Sequence, residues 1–321
     1  MATRTPDPTR QGGPSLDALA RWVDTLETVI FGKREQLELA VACVLARGHL
    51  LLEDAPGAGK TTLARALARS IGAQFRRIQF TSDLLPSDVL GVAVWSPERS
   101  AFVFKSGPIF ANVVLADELN RTPPRTQSAL LECMSEGQVS VDGVTKSLPR
   151  PFFVIATQNP LEFEGTYPLP ESQLDRFAVR LSLGFPPRAD EARILRGEGG
   201  EARVESIEPV FALEELSNWC ELAREVRVDE TLLDYSLSIG EATRTSGRFV
   251  HGVSTRALLA LRRVAQSLAL LDGRGFCTPD DFKRAASPVL AHRLAPAGDA
   301  SDRELAADAL EELLDKIPAP R

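Results

Sequence analysis

The residues that decide the fold of this chain are Leu50-Leu51-Leu52-Glu53-Asp54-Ala55-Pro56-Gly57-Ala58-Gly59-Lys60-Thr61-Thr62. They read as a short apolar strand, a glycine-rich loop, a lysine and two hydroxyl residues, and residues 63–68 continue with a helical pattern. Backbone N–H groups of such a loop and the positive end of the following helix converge on a phosphate group. The lysine reaches the β- and γ-phosphates of a nucleoside triphosphate, and the first hydroxyl ligates Mg²⁺. The pattern therefore predicts a nucleotide site, with these candidate residues: Pro56, Gly57, Ala58, Gly59, Lys60, Thr61 and Thr62.

One residue departs from the general form of this motif. The pattern G-x-x-x-x-G-K-[ST] begins with glycine, whereas this chain has Asp54 in that place. Because the match is imperfect, the prediction of a nucleotide site requires support from other parts of the chain.

Bulk properties narrow the class of protein. The chain has 321 residues, 44% of them hydrophobic, and this predicts two domains or one domain with a sizeable appendage. A net charge of −7 argues against a broad nucleic-acid surface, so we expect no nucleic-acid partner. The four cysteines are widely spaced without a Cys-x-x-Cys pair, which predicts buried free thiols and a reducing compartment. No apolar run approaches the roughly 20 residues needed to cross a bilayer, and we expect a cytoplasmic protein without a membrane segment.

The order of apolar runs and helical patterns predicts an α/β fold. Strand-length apolar runs at 74–80, 112–116, 152–156 and 177–183 accompany the run at 50–53, and helical stretches separate several of them. Continuous apolar runs of this kind indicate a parallel sheet buried on both faces. After residue 185 only helical patterns follow. We predict a polar, disordered lead-in at 1–14, an α/β core at 15–185, a linker with a helix at 186–210 and an all-α domain at 211–321.

Two β-hairpins are predicted within the α/β core. Asp142-Gly143 lies between alternating residues at 139–145, which is a strong hairpin signal. Residues 91–105 form the second predicted hairpin, with Val92 and Val94 facing Phe102 and Phe104. From the residues alone, surface decoration and a functional role are both open for these hairpins.

A second chemical signal is the run Val113-Val114-Leu115-Ala116-Asp117-Glu118. Because ligands bind at the carboxyl ends of parallel strands, Asp117 is a candidate to hold the nucleotide's Mg²⁺, and Glu118 to activate water as general base. A third strand ends in Thr157-Gln158-Asn159, and the Asn159 amide is a candidate to orient the attacking water. An asparagine before proline is also an ordinary turn residue.

Taken together, these runs resemble the MoxR-type ATPases of the AAA+ superfamily over residues 15–310. The resemblance rests on 51–61, on Asp83-Leu84-Leu85-Pro86-Ser87-Asp88, on Gly107-Pro108-Ile109-Phe110-Ala111-Asn112, on Leu115–Arg121, on Ala156–Pro160 and on Leu174-Asp175-Arg176-Phe177. It implies a P-loop AAA+ core with a five-stranded parallel sheet flanked by helices, and a C-terminal all-α lid domain. An aspartate at position 54 is usual in that family.

The resemblance also implies roles for single residues. Asn159 matches the sensor-1 residue, Arg176 the arginine finger that reaches a neighbouring subunit's γ-phosphate, and Arg256 the sensor-2 residue of the lid. Alternatives are an ion pair with Asp175 for Arg176 and a merely solvated side chain for Arg256. The hairpins at 91–105 and 139–147 match inserts that face the pore or the substrate side. The segment that packs on adenine is matched by Ile30, Phe31 and Gly32.

The function that these roles imply is ATP hydrolysis with Mg²⁺ at intersubunit sites, with ATP bound between core and lid. The family further implies a ring, typically a hexamer, that remodels partner proteins carrying von Willebrand factor A domains. Two alternatives are open: a nucleotide-switched scaffold with little turnover, and the ATPase subunit of a magnesium-chelatase-like complex.

Overall fold

A five-stranded parallel sheet forms the centre of the chain. The computed structural model describes residues 16–159, 165–297 and 303–320. The sheet contains β1 (Leu50–Glu53), β2 (Phe75–Gln79), β5 (Val113–Asp117), β8 (Phe153–Gln158) and β9 (Val179–Leu181), in the order β2-β5-β8-β1-β9. The predicted parallel sheet is confirmed, with strand ends displaced by one or two residues. The lead-in predicted at 1–14 lies outside the described residues.

Helices cover both faces of the sheet and make up the C-terminal part. Their bounds are α1 Asp17–Glu27, α2 Arg34–Leu45, α3 Lys60–Ser70, α4 Pro86–Leu90, α5 Pro124–Glu136, α6 Glu171–Leu174, α7 Arg188–Leu195, α8 Glu201–Val204, α9 Leu213–Glu225, α10 Glu230–Thr245, α11 Thr255–Leu271, α12 Pro279–Leu290 and α13 Arg303–Leu314. Short 3-10 turns lie at Leu119–Arg121 and Ala291–Arg293. Among the described residues after β9, no further strand occurs, as predicted.

Alternating side chains of the strands enter two separate apolar cores. Leu50, Leu52 and Val113 pack on one face with α1, α2, α3 and the C-terminal helices, while Leu51 and Val114 pack on the other face with α5. A strand buried on both faces needs apolar residues at successive positions, which explains the continuous apolar runs. Packing of the C-terminal helices into the first core ties them to α2 and β9.

The two predicted hairpins are present as separate two-stranded ribbons. They are β3 (Gly91–Ser96) with β4 (Ala101–Ser106), and β6 (Gln138–Val141) with β7 (Val144–Ser147). In the second, Asp142 and Gly143 have φ of 52° and 77°, as the type I′ turn requires.

The predicted pairing within the first hairpin is wrong by one residue. Trp95 lies opposite Phe102, Ala93 opposite Phe104 and Val94 opposite Val103. Because successive side chains point to opposite faces, this shift separates Val94 from the aromatic face of the ribbon. Trp95 and Phe102 instead stack edge to face at 5.4 Å and remain 52% and 71% exposed.

The prediction of buried free thiols is confirmed for all four cysteines. Burial raises the pKa of Cys133 and Cys277 to about 12. Across the described segments, no helix combines the length and the apolar character needed to cross a bilayer.

Candidate functional site

The carboxyl edge of the parallel sheet brings three of the predicted motifs together. Strand β8 lies between β1 and β5. The glycine-rich loop after β1, Asp117 and Glu118 at the end of β5, and Asn159 after β8 therefore lie side by side. Parallel strands end at the same edge, so this grouping follows from the strand order alone.

The loop after β1 has the backbone shape of a phosphate cradle. Gly57 and Gly59 have φ of 86° and 88°, a region that residues with a Cβ rarely adopt. A Cβ added at Gly57 would meet no atom within 4 Å, so the cradle is open on that side. Lys60 begins α3, and its Nζ donates to the Asp54 and Ala55 carbonyl oxygens at 2.5 and 3.1 Å. Thr61 and Thr62 follow in the first turn of this helix.

Asp54 fastens the loop to the segment that leaves β9. Its carboxylate accepts hydrogen bonds from the Ser182 hydroxyl at 2.7 Å and from the backbone N–H groups of Leu183 and Gly184 at 2.8 and 2.9 Å. Asp54 is buried, so these three donors replace the water that the carboxylate loses. A glycine could make none of these bonds, which gives a physical reason for the departure from the general motif.

Thr157 hydrogen-bonds both acidic residues at the end of β5. Its hydroxyl donates to Asp117 Oδ1 at 2.6 Å and accepts from the backbone N–H of Glu118 at 2.8 Å. Glu118 has a φ of 56°, which is uncommon for a residue other than glycine. The turn directs the half-buried Glu118 side chain away from the strand while Asp117 stays buried.

Sequence reasoning missed the residues of β2 that contact this acidic pair. Gln79 Nε2 donates to Glu118 Oε2 at 2.7 Å, and Arg77 donates to Asp117 Oδ2 from Nε at 2.9 Å and Nη2 at 2.5 Å. Arg121 also pairs with Glu118 Oε2 at 3.2 Å. Arg77 and Gln79 are two positions apart on β2, so their side chains lie on the same face of the strand. This spacing was the signal in the sequence that could have identified them.

The segment predicted to pack on adenine divides into two parts. Ile30 approaches the loop, because its Cδ1 lies 3.9 Å from the position of a Cβ on Gly59. Phe31 is instead covered by the Arg193 guanidinium, 3.7 Å from the ring centroid, and by Gly199. A Cβ on Gly32 would come within 3 Å of Asp190 and Pro187, so this glycine allows the start of α7 to pack closely.

Arg176 lies at the opposite edge of the sheet. It lies three residues before Val179, the first residue of β9, and Val179 pairs with Leu50 at the start of β1 rather than with the end of β1 that leads into the loop. The four residues of β1 span roughly 10 Å, which separates this edge from the loop. Arg176 Nη1 donates to the Leu131 carbonyl at 2.6 Å and to Ser135 Oγ at 2.5 Å, both on α5.

Arg256 lies beside the same segment and not over the loop of its own chain. Its Nη1 is 3.4 Å from Asp175 Oδ2, and 68% of its side chain is exposed. Asp175 also pairs with Arg293, whose Nε is 3.1 Å from Asp175 Oδ1. The role of Arg256 in a site between core and lid stays a prediction, and in this structure its side chain contacts Asp175. Arg256 lies in the first turn of α11, which packs against α2 and α12, and α12 packs against β9. Its partner Asp175 precedes β9, so Arg256 lies at the amino edge of the sheet, where the parallel strands begin.

Comparisons with known proteins agree with this geometry. Residues 49–179 match the ATPase family associated with various cellular activities (AAA), and residues 241–313 match the AAA lid domain. The chain is 46% identical to the uncharacterised protein YeaC of Bacillus subtilis, covering 94% of this chain and 95% of that protein. It is 37% identical to chaperone MoxR1 of Mycobacterium tuberculosis, covering 95% of this chain and 85% of that protein. A crystal structure from Cytophaga hutchinsonii, provisionally assigned as an ATPase, superposes with a TM-score of 0.85 at 33% identity over 95% of this chain and 96% of that one.

The hydrogen bonds of Asp54 generate a stability prediction. Asp54→Gly restores the general motif but leaves the N–H groups of Leu183 and Gly184 without their acceptor, which costs about 2–4 kcal/mol. We expect a lower midpoint of thermal or urea unfolding. Ser182→Ala removes only one hydroxyl donor and serves as the milder control. Equal midpoints for Asp54→Gly and the unmodified chain would contradict this role.

Proposed function

Since the chain belongs to the MoxR family of AAA+ ATPases, we propose that it hydrolyses ATP at sites shared between neighbouring copies and uses the cycle to remodel partner proteins. The observation that supports this most directly is the division of its candidate residues between the two edges of one sheet. Lys60, Glu118 and Asn159 lie at the carboxyl edge, whereas Arg176 and Arg256 lie at the amino edge. In this proposal 15–185 is the ATPase core, 186–210 the linker and 211–321 the lid.

The residues at the carboxyl edge fit a nucleotide with a hard cation. The open cradle at Gly57 and the N-terminus of α3 suit phosphate oxygens, and Lys60 supplies positive charge. Hydroxyl and carboxylate oxygens are the ligands that Mg²⁺ prefers, so Thr61 and Asp117 would hold it. When bound, the cation would neutralise charge that develops on the phosphates.

We assign proton removal from the attacking water to Glu118. Its carboxylate is held by Gln79, and its backbone N–H by Thr157, so the side chain has a defined position at the carboxyl edge of the sheet. Asn159, which follows the strand between the two motifs, would orient that water. A positioned general base contributes about 10²–10⁴-fold to a rate.

We assign Arg176 and Arg256 to the nucleotide of the next copy. Planar guanidinium groups pair well with phosphate oxygens, and neither arginine is placed to reach its own loop. A head-to-tail contact of this kind closes into a ring when its rotation allows, and the family resemblance favours a hexamer.

Helix α5 is the element that would couple hydrolysis to the hairpins. Arg176 hydrogen-bonds the C-terminal half of α5, and the helix ends shortly before β6. Near the other end of α5, Thr126 Oγ1 donates to the Leu84 carbonyl, which lies ahead of α4 and β3.

The exposed Trp95 and Phe102 offer a surface for a client. From the family resemblance, we propose that the client carries a von Willebrand factor A domain.

Replacement of Glu118 tests hydrolysis itself. Glu118→Gln keeps a side chain of similar size but removes the base, so turnover should fall by about 10²-fold or more while ATP binding persists. Steady-state phosphate release and binding of a fluorescent ATP analogue measure the two effects. Undiminished turnover would overturn the assignment. Low turnover of the unmodified chain, with and without client, would favour the nucleotide-switched scaffold.

Mixed subunits test whether the site is shared. Arg176→Ala should lose turnover, by about 10³–10⁵-fold for a full arginine finger, and keep its ATP affinity. Mixing it with Glu118→Gln should restore activity, because Glu118→Gln copies supply an intact arginine to Arg176→Ala copies. Arg248→Ala, whose arginine pairs with exposed Glu312 in the helical part, is the matched control and should retain full turnover. No recovery in the mixture would argue against a shared site.

Arg77 provides a test of the cation site. Its guanidinium bonds Asp117 Oδ2, so Arg77→Gln removes a positive charge next to the proposed Mg²⁺ ligand. We expect nucleotide binding to saturate at about three- to tenfold lower Mg²⁺ concentration. Arg76→Gln removes the same charge from the opposite face of β2 and should leave the Mg²⁺ dependence unchanged. Identical Mg²⁺ titrations of ATP-analogue fluorescence for the two variants would contradict the assignment of Asp117.

A further inference from the structure

The peptide carbonyls on either side of Arg176 are held by one side chain from the helical part. Arg293 Nη2 donates to the Phe177 carbonyl at 2.7 Å and to the Asp175 carbonyl at 3.3 Å. Its Nε lies 3.1 Å from Asp175 Oδ1, and its Nη1 donates to the Val289 carbonyl at 2.8 Å. One planar group thus contacts the backbone before and after the arginine that we assign to the neighbour's nucleotide.

His292 supplements this contact. Its Nε2 donates to the same Phe177 carbonyl at 3.0 Å, and both His292 and Arg293 are buried. Burial lowers the pKa of His292 well below its ordinary value, so the ring is neutral and the proton lies on Nε2. Burial also lowers the pKa of Arg293, to about 10, and the guanidinium keeps its charge at neutral pH.

We propose that Arg293 and His292 are positioning residues for Arg176, so that the lid of one copy controls ATP hydrolysis in the next. This inference rests on the proposed function, because it requires that Arg176 acts on a neighbour. We call His292 and Arg293 the lid clamp. The clamp touches neither the loop nor Glu118, so its loss should affect only the arginine that a copy donates.

The backbone around Arg176 must be fixed because, in the proposed function, its guanidinium has to reach the phosphates of a neighbouring copy's nucleotide. The side chain hydrogen-bonds α5 at its outer end. Arg293 holds the backbone carbonyls of the two residues that flank Arg176. Displacement of a catalytic group by about 1 Å can cost about 10²-fold in rate. A buried guanidinium that bonds two carbonyls restricts such displacement, and an ammonium, which is a compact point charge, would restrict it less.

The test measures which mutant copies restore turnover when they are mixed with Arg293 variants. Arg293→Met, which is similar in length and leaves no buried charge, should lower kcat by about 10–10²-fold without changing ATP-analogue affinity. Mixed with Glu118→Gln copies, it should recover turnover above the sum of the two preparations. Mixed with Arg176→Ala copies it should not recover, since neither copy then donates a well-placed arginine. Arg293→Lys, a milder change, should show the same pattern with a smaller loss.

A matched control separates the clamp from general damage to the lid. Arg274 also pairs with a buried carboxylate, that of Asp281, and its hydrogen-bond partners in the described part of the chain do not include residues 175–177. Arg274→Gln should therefore perturb the lid, but mixing it with Glu118→Gln or with Arg176→Ala copies should not reproduce the results expected for Arg293→Met. Three results would overturn the role of the clamp. They are full turnover of Arg293→Met alone, recovery of turnover when it is mixed with Arg176→Ala, and no recovery when it is mixed with Glu118→Gln. Failure of the Arg176→Ala and Glu118→Gln mixture would instead overturn the shared site and the clamp together.

Discussion

The common direction of five strands is the constraint on which this structure depends. Because all strands of the sheet run parallel, every residue that follows a strand lies at one edge and every residue that precedes a strand lies at the other. Lys60, Glu118 and Asn159 belong to the first group and Arg176 to the second. In the function that we propose, each edge of the sheet carries half of a catalytic site, and a second copy of the chain brings the halves together.

Strand β9 connects the two edges mechanically. The residues before it are bonded by Arg293 from the helical part, and the residues after it are bonded by Asp54 at the start of the glycine-rich loop. Both contacts use buried charged groups on backbone partners, and such groups are costly to leave unpaired. A change in the loop and a change in the position of the C-terminal helices therefore both act on the residues that flank β9.

The sequence predicted much of the fold because its signals are local. The apolar runs of β5 and β8, the Asp142-Gly143 turn and the glycine-lysine loop each carry their own physical explanation. The register of the first hairpin was missed because a four-residue connection is compatible with pairings that differ by one residue. Gln79 and Arg77 were missed because β2, an edge strand, has polar residues whose partners come from β5. The location of Arg256 depends on packing between distant helices, and no local pattern specifies it.

The central claim is that one chain does not contain a complete hydrolytic site. Its most direct test is the specific activity measured across a dilution series, with the assembly state followed by mass photometry and ATP-analogue binding measured per chain. The account predicts that turnover per chain falls as the assembly dissociates, while each separated chain still binds nucleotide. Constant turnover per chain in fully dissociated protein would contradict it.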